Sequence, residues 1–198
     1  MKGLNIKQKF VKRIFDIICS FLGLVLFFWL ILIAIVVARI ETKSSGIFLQ
    51  KRVGKNGAFF NVMKIKTMKN VAGTTVTTSN DNRITKSGRL FRKTKIDELP
   101  QLLNVLKGDM SFVGPRPDVP GFADQLQNED RIVLSIRPGI TGPASIKYKN
   151  EEELLASVKD PDKYNREVIF PDKVQINKEY IYNYSFLKDI KYIFKTIF

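Results

Sequence analysis

The chain has no histidine in its 198 residues, one cysteine, Cys19, and one tryptophan, Trp29. Ser-His-Asp and Cys-His nucleophile systems and histidine-ligated metals are therefore excluded, and a lone thiol forms no internal disulfide. Acid is also scarce, with 19 Asp and Glu against 33 Lys and Arg, a net charge of +14. Such a balance points to an anionic partner. Catalysis by this chain must rest on carboxylates, lysines, arginines, hydroxyls or a metal held through oxygen.

What is present in excess is an uncharged apolar run, "IICSFLGLVLFFWLILIAIVVA", 22 residues from 17 to 38. As a helix it would measure about 33 Å, against a hydrocarbon core of about 30 Å, so it belongs in or on a membrane. A cleaved signal peptide is the competing reading, but the run exceeds the usual apolar core, and "ARIETK" stands where small cleavage-site residues are expected. Lys2, Lys7, Lys9, Lys12 and Arg13 precede it and Arg39, Lys43, Lys51 and Arg52 follow it. Basic clusters on both flanks predict that both ends stay cytoplasmic, hence a re-entrant segment over about 14–40, the alternative being a single straight span.

After the anchor (residues 1–41) the chain reads as a small α+β domain, 42–198, mostly helical. Short β-prone runs at 47–50 and 59–66 flank the turn-forming "GKNG" and predict a hairpin. Residues 69–88, rich in Thr, Ser, Asn and Gly, read as a loop over the surface or a site. Helices are expected near 89–94, 97–107, 119–135, 150–158 and 173–183. In "FLKDIKYIFKTIF", Phe186, Ile190, Ile193, Phe194 and Ile197 share one face, which suits either a membrane-surface helix or ordinary core packing.

The acid pair Asp97 and Glu98 sits just ahead of a leucine-patterned helix in which Leu99, Leu102, Leu103 and Leu106 form the expected buried stripe, Pro100 sits in the first turn and Gly108 ends it. Acids at a helix start are commonly there to meet its free N–H groups and positive dipole end. Next, "SFVGPRPDVP" fixes a rigid turn presenting Arg116, and a planar guanidinium grips two phosphate oxygens at once. Arg137, in "SIRPGITGP", repeats that pattern, and "KIKTM" adds Lys64 and Lys66. Several phosphate-gripping elements in one small membrane chain suggest a diphosphate or phospholipid substrate.

These stretches together resemble the bacterial sugar transferase family, the small monotopic phosphoglycosyl transferases. The resemblance rests on "KRIFD", "QKRVG", "KIKTM", "DNRITKSGRLFRKTKIDELPQLLNVLKGDMSFVGPRP" and "RPGITG". It implies transfer of a sugar 1-phosphate from a UDP-sugar to undecaprenyl phosphate at the cytoplasmic face of a bacterial membrane, with downstream glycosyltransferases as further partners. It implies Asp97 as nucleophile, carrying the phosphosugar as an aspartyl phosphate, and Glu98 as a ligand of Mg²⁺. Arg116 would hold a phosphate, with Lys64, Lys66, Arg92 and Arg137 as neighbours.

The chain departs from the family pattern in places. Pro143, Ser145 and "KYKN" follow "RPGITG" where relatives continue with tryptophan, so the sugar pocket differs. Asn177 stands where some relatives have aspartate, and Phe28 and Trp29 stand where many break the membrane helix with Ser-Pro. Two other readings remain at this stage: a tethered binder of nucleic acid or anionic lipid using the +14 charge, and a structural subunit of a membrane synthase. The resemblance disfavours nucleic acid.

Overall fold

A computed structural model describes residues 3–69 and 82–197. Most of the expected loop 69–88 lies outside the described residues, as do Lys2 and the side chain of Ile197. Helix α1 is Ile6–Thr42, 37 residues long and thus about 55 Å. It starts well before the expected position because Asn5 forms a reciprocal cap with Gln8, each side chain bonding the other's backbone N–H at 2.8 Å. Nor does it reverse within the expected re-entrant segment: α1 is one uninterrupted helix. With no proline in the run, the usual cause of a sharp kink is missing.

Strands β1 (Ile47–Val53) and β2 (Phe59–Ile65) form the expected antiparallel hairpin, Val53 opposite Phe59, and extend beyond the predicted 47–50 because Asn56 and Gly57 take left-handed turn conformations. Helix α2 (Lys86–Thr94) begins earlier than expected, at the Thr85 cap. The helix expected over 97–107 is two pieces. A tight turn, Ile96–Glu98, holds the acids, and α3 (Gln101–Lys107) follows, ending at Gly108 with φ 100°. Pro100 occupies the cap position itself, so the acids precede the helix rather than forming its first turn.

The leucine stripe is corrected as well. Leu102 is buried, but Leu103 is exposed, and Gln101, Asn104 and Val105 are the other buried positions. Asn104 explains the change of face, since its Oδ1 accepts from the Met63 amide at 3.0 Å and its Nδ2 donates to the Asn61 carbonyl at 2.8 Å. These bonds clamp α3 to β2 and compensate burial of the amide.

Two three-residue strands, β3 (Ser111–Val113) and β4 (Gly139–Thr141), pair in parallel, too short to show an alternating pattern in the sequence. Between them the helix expected over 119–135 is replaced by 3-10 turns at Ala123–Gln125 and Asn128–Ser135, because Gly121 (φ 96°) and Asn128 (φ 50°) take left-handed backbone. Helices α4 (Pro143–Lys147), α5 (Glu151–Ala156) and α6 (Pro161–Tyr164) follow, and a π-turn leads into α7 (Phe170–Tyr182) and then α8 (Phe186–Ile197).

Small cores join these pieces. Leu4, Val113, Ile136, Tyr180 and Ile181 unite the N-terminus with β3 and α7, and Val62, Val105 and Met110 seat α3 on the hairpin. On α8, Phe186 packs edge-on against Phe15 of α1, whereas Leu187 and Phe194 remain exposed.

Helix α1 is attached to the domain near both its ends. Near the start, Lys12 donates to Asp189 at 2.6 Å, Arg13 donates to the Val105 and Leu106 carbonyls at 2.7 and 2.8 Å, and Asp16 accepts from the Ser111 hydroxyl and the Phe112 amide at 3.0 Å each. Near the finish, Ala34 and Ala38 pack with Ile65 and Phe91, and Glu41 accepts from the Ser87 hydroxyl at 2.6 Å. The outward face exposes Phe21, Leu22, Val25, Leu26, Phe28, Trp29 and Leu32.

Candidate active site

The acid turn is positioned by its two neighbours. Lys95 ends α2 with φ 59°, and the Glu98 amide donates back to the Lys95 carbonyl at 3.1 Å, folding the chain tightly before α3. Asp97 is thereby turned inward and Glu98 toward β2. Asp97 is 7% exposed, and its Oδ1 is buried with no hydrogen-bond partner. Burial raises its pKa to about 6, Glu98 adding to the rise while Lys64, Lys95 and Arg92 oppose it.

Glu98 shows the reverse balance. Burial alone would raise its pKa, but Lys64, Arg116 and Lys95 outweigh that and hold it near about 2. Lys64 donates to Glu98 Oε1 at 3.1 Å, and Arg116 reaches the same oxygen at 3.5 Å. A buried acceptor with two cations stays ionised; a buried neighbour with an orphan oxygen keeps a reactive lone pair.

The arginine turn is held from behind. The Gly114 amide donates to the Thr141 carbonyl at 2.9 Å and the Gly139 amide to the Pro115 carbonyl at 2.8 Å. A Cβ on Gly139 would stand 2.2 Å from the Gly114 nitrogen, so this approach requires glycine. "SFVGPRP" and "RPGITG" are thus one structural unit. On its far side the Pro117 carbonyl accepts from Arg52 at 3.1 Å and the Asp118 carbonyl from the Val53 amide at 2.9 Å, while the Arg116 side chain stays half-exposed beside Glu98.

Of the residues expected in the site, Asp97, Glu98, Lys64 and Arg116 come together, and Arg92 contributes charge to Asp97. Lys66 follows the end of β2, and its amide donates to the Gly46 carbonyl, just ahead of β1, at 2.8 Å. Arg137 is elsewhere: its Nε donates to the Gly108 carbonyl at 2.7 Å, beyond the far end of α3, beside Arg13. Sequence reasoning passed over two neighbours of Arg116. Arg52 lies close enough to lose some of its affinity for protons, mainly through burial and then through Arg116, and Asp118 is pushed up to about 6 chiefly by burial, against Lys173 and Arg52. Both residues stand in motifs quoted above, "QKRVG" and "GPRPD", but only folding brings them together.

Among the described residues no three His, Cys, Asp or Glu side chains form a metal cluster. Mg²⁺ is commonly held by one or two carboxylates together with substrate phosphates and water. Glu98 fits that mode as the single carboxylate, which leaves the unpartnered oxygen of Asp97 free.

The profile of the bacterial sugar transferase family matches residues 7–198, nearly the whole chain. The chain belongs to that family. It is 35% identical over 194 residues to a UDP-N-acetylgalactosamine-undecaprenyl-phosphate N-acetylgalactosaminephosphotransferase of Aeromonas hydrophila, covering 95% of this chain and 43% of that protein. It is 32% identical over 193 residues to a UDP-glucose:undecaprenyl-phosphate glucose-1-phosphate transferase of Caulobacter vibrioides, covering 94% of this chain and 68% of the relative. With the exopolysaccharide production protein ExoY of Rhizobium meliloti it shares 30% identity over 204 residues, 94% of this chain and 83% of the relative. The chain thus spans less than half of the Aeromonas protein and most of the ExoY protein. In this bacterial sugar transferase, α1 is a helix long and apolar enough to cross a membrane, only 11% of its most apolar stretch being buried.

Proposed function

We propose that the chain transfers a sugar 1-phosphate from a UDP-sugar to undecaprenyl phosphate and releases UMP, by a ping-pong route through Asp97. The observation that carries this reading is the buried, unpartnered Oδ1 of Asp97 beside a ring of cations. Desolvation leaves that oxygen with no bond to break before it attacks, while Arg116, Lys64 and Arg92 offset the donor's charge as it approaches.

In the first half-reaction Asp97 Oδ1 forms a bond to the sugar-bearing phosphorus. The bond from that phosphorus to the bridging oxygen breaks, and UMP departs with the oxygen and its electron pair. In the second, an oxygen of undecaprenyl phosphate attacks the same phosphorus, the bond to Asp97 breaks, and the carboxylate is restored. Arg116, preset by the Gly114–Pro117 turn, holds a phosphate of the donor in the first half and of the Asp97-bound phosphosugar in the second. Mg²⁺, when bound at Glu98, would neutralise the diphosphate so that an anion can approach. The product is a lipid-linked phosphosugar suited to downstream glycosyltransferases, and the likeness to ExoY supports a place in surface polysaccharide assembly.

The same reading places the chain on the cytoplasmic face without crossing the bilayer. Lys12 and Arg13 at one end of α1 and Ala38 and Glu41 at the other touch one domain, about 40 Å apart along the helix. A helix crossing the bilayer would carry one of those ends to the opposite side. This supports a helix lying along the inner leaflet, its exposed apolar face in lipid and its polar stripe on the domain.

Purified protein given undecaprenyl phosphate should release UMP from one UDP-sugar in a screen of donors. Release from none would defeat the proposal. For topology, a cysteine replacing exposed Lys7, with Cys19 changed to serine, should resist a membrane-impermeant thiol reagent until cells are lysed; labelling of intact cells would show a span.

A further inference from the structure

Beyond the acid turn lies a second polar cleft, between the first turns of α1, the hairpin tip and the segment before β4, lined by Lys9, Lys55, Ser135 and Arg137 among others. The other charged residues in its wall are already engaged. Lys12 is paired with Asp189, and Asp16 accepts from Ser111 and Phe112. Arg13, adjoining it, spends its guanidinium on the Val105 and Leu106 carbonyls, and Arg137 commits only Nε, to Gly108. Lys9, Lys55 and Arg137 line the cleft together, and among the described residues none of them is in a salt bridge; the carboxylate in the wall, Asp16, has its Oδ1 taken by Ser111 and Phe112. The pKa of Lys55 is lowered by burial and then by Arg137 and Lys9.

Ser135 supplies an independent sign. Its Oγ is buried and has no hydrogen-bond partner, and it borders this cleft. An orphan hydroxyl beside uncompensated cations is a donor set without its acceptor. We infer that this cleft binds a phosphate oxyanion, with Arg137 and the two lysines supplying charge and Ser135 a neutral hydrogen bond. The source is the headgroup of an anionic lipid, because Ile6 and Phe10, 85% and 65% exposed, flank Lys9 on α1 and would sit in the acyl region just beyond. That assignment of source rests on α1 lying at the membrane surface, as proposed above. The site is separate from the chemistry: α3, seven residues and about 10 Å long, stands between it and the acid turn.

The test uses the full chain in phosphatidylcholine nanodiscs with or without phosphatidylglycerol. Mild acylation of amines is read at each lysine by mass spectrometry, with exposed Lys159 and Lys163 as internal references. Phosphatidylglycerol should slow labelling of Lys55 and Lys9 by about fivefold or more relative to the references, the size expected for one basic residue at an anionic surface. Equal protection by inorganic phosphate in phosphatidylcholine discs would overturn the lipid source, and no protection in either arm would overturn the site. Lys9→Gln with Lys55→Gln should weaken association with phosphatidylglycerol vesicles more than Lys159→Gln with Lys163→Gln does. UMP release in detergent should be unchanged by the first pair, so that loss of transferase activity in the parent protein is read separately from loss of lipid binding.

Discussion

The two ends of α3 hold opposite charge sets, and the contrast separates chemistry from attachment. Before its first turn stand Asp97 and Glu98, with cations gathered around them; past its last turn stand Arg13 and Arg137, bonded to its terminal carbonyls. Both arrangements follow the helix dipole, which favours anions at the start and cations at the finish. The difference lies in what each leaves unpaired. At the start it is a carboxylate oxygen, and at the finish it is basic charge. One end is equipped to attack a phosphorus, the other to hold an anion still.

The sharpest way to break this contrast is to neutralise each acid in turn. Asp97→Asn should lower UMP release by at least about 10⁴-fold, as expected when a nucleophile is removed. It should also make the protein more stable at pH 7. Between its ordinary 3.8 and its folded value of about 6, Asp97 holds a proton in the folded state that the unfolded chain gives up. Stability therefore falls as pH rises through that window, and the ionised carboxylate costs on the order of 1–3 kcal/mol above it. Glu98→Gln should do the reverse for stability. Its pKa falls from 4.5 to about 2 on folding, so its contribution is present above pH 4.5 and disappears as pH falls through about 2. Losing that charge strands Lys64 and should cost about 2–4 kcal/mol, with activity down about 10²-fold. Thermal melts of the two variants beside the parent decide the signs; equal shifts in one direction would contradict the division of roles.

Arg116→Lys should lower kcat/KM about thirtyfold, because a lysine keeps the charge but loses the two-pronged grip. Near-native kcat/KM would make Arg116 an ordinary turn residue. A smaller effect is expected of pH. In a single turnover without acceptor, UMP release should fall about tenfold per unit below about pH 6, as Asp97 takes up its proton. The donor diphosphate does not titrate there, so a flat profile would assign attack to another group.

Much of the acid turn was legible in the sequence, since Asp97, Glu98, Lys64 and Arg116 all lie in dense motifs and folding brings them together. The extent of α1 was less so. Lys12 and Arg13 read as topogenic charge at a membrane flank, yet Asp189, 177 residues away, and the end of α3 claim them. No local pattern announces a partner so distant in the chain. Arg137 stands apart from the acid turn for a related reason: its motif resembles that of Arg116, but the two arms of the β3–β4 unit put the arginines in different places. The leucine pattern of α3 failed because Asn104 found two backbone partners on β2, a gain that periodicity does not register.

The claim that Asp97 carries the phosphosugar is tested most directly by incubating the protein with its UDP-sugar in the absence of undecaprenyl phosphate. Intact mass and peptide mapping should reveal one added sugar phosphate on the peptide containing Asp97, with one UMP released per chain, and adding undecaprenyl phosphate should remove it. Turnover without any adduct, or an adduct that persists in the Asp97→Asn protein, would contradict the account.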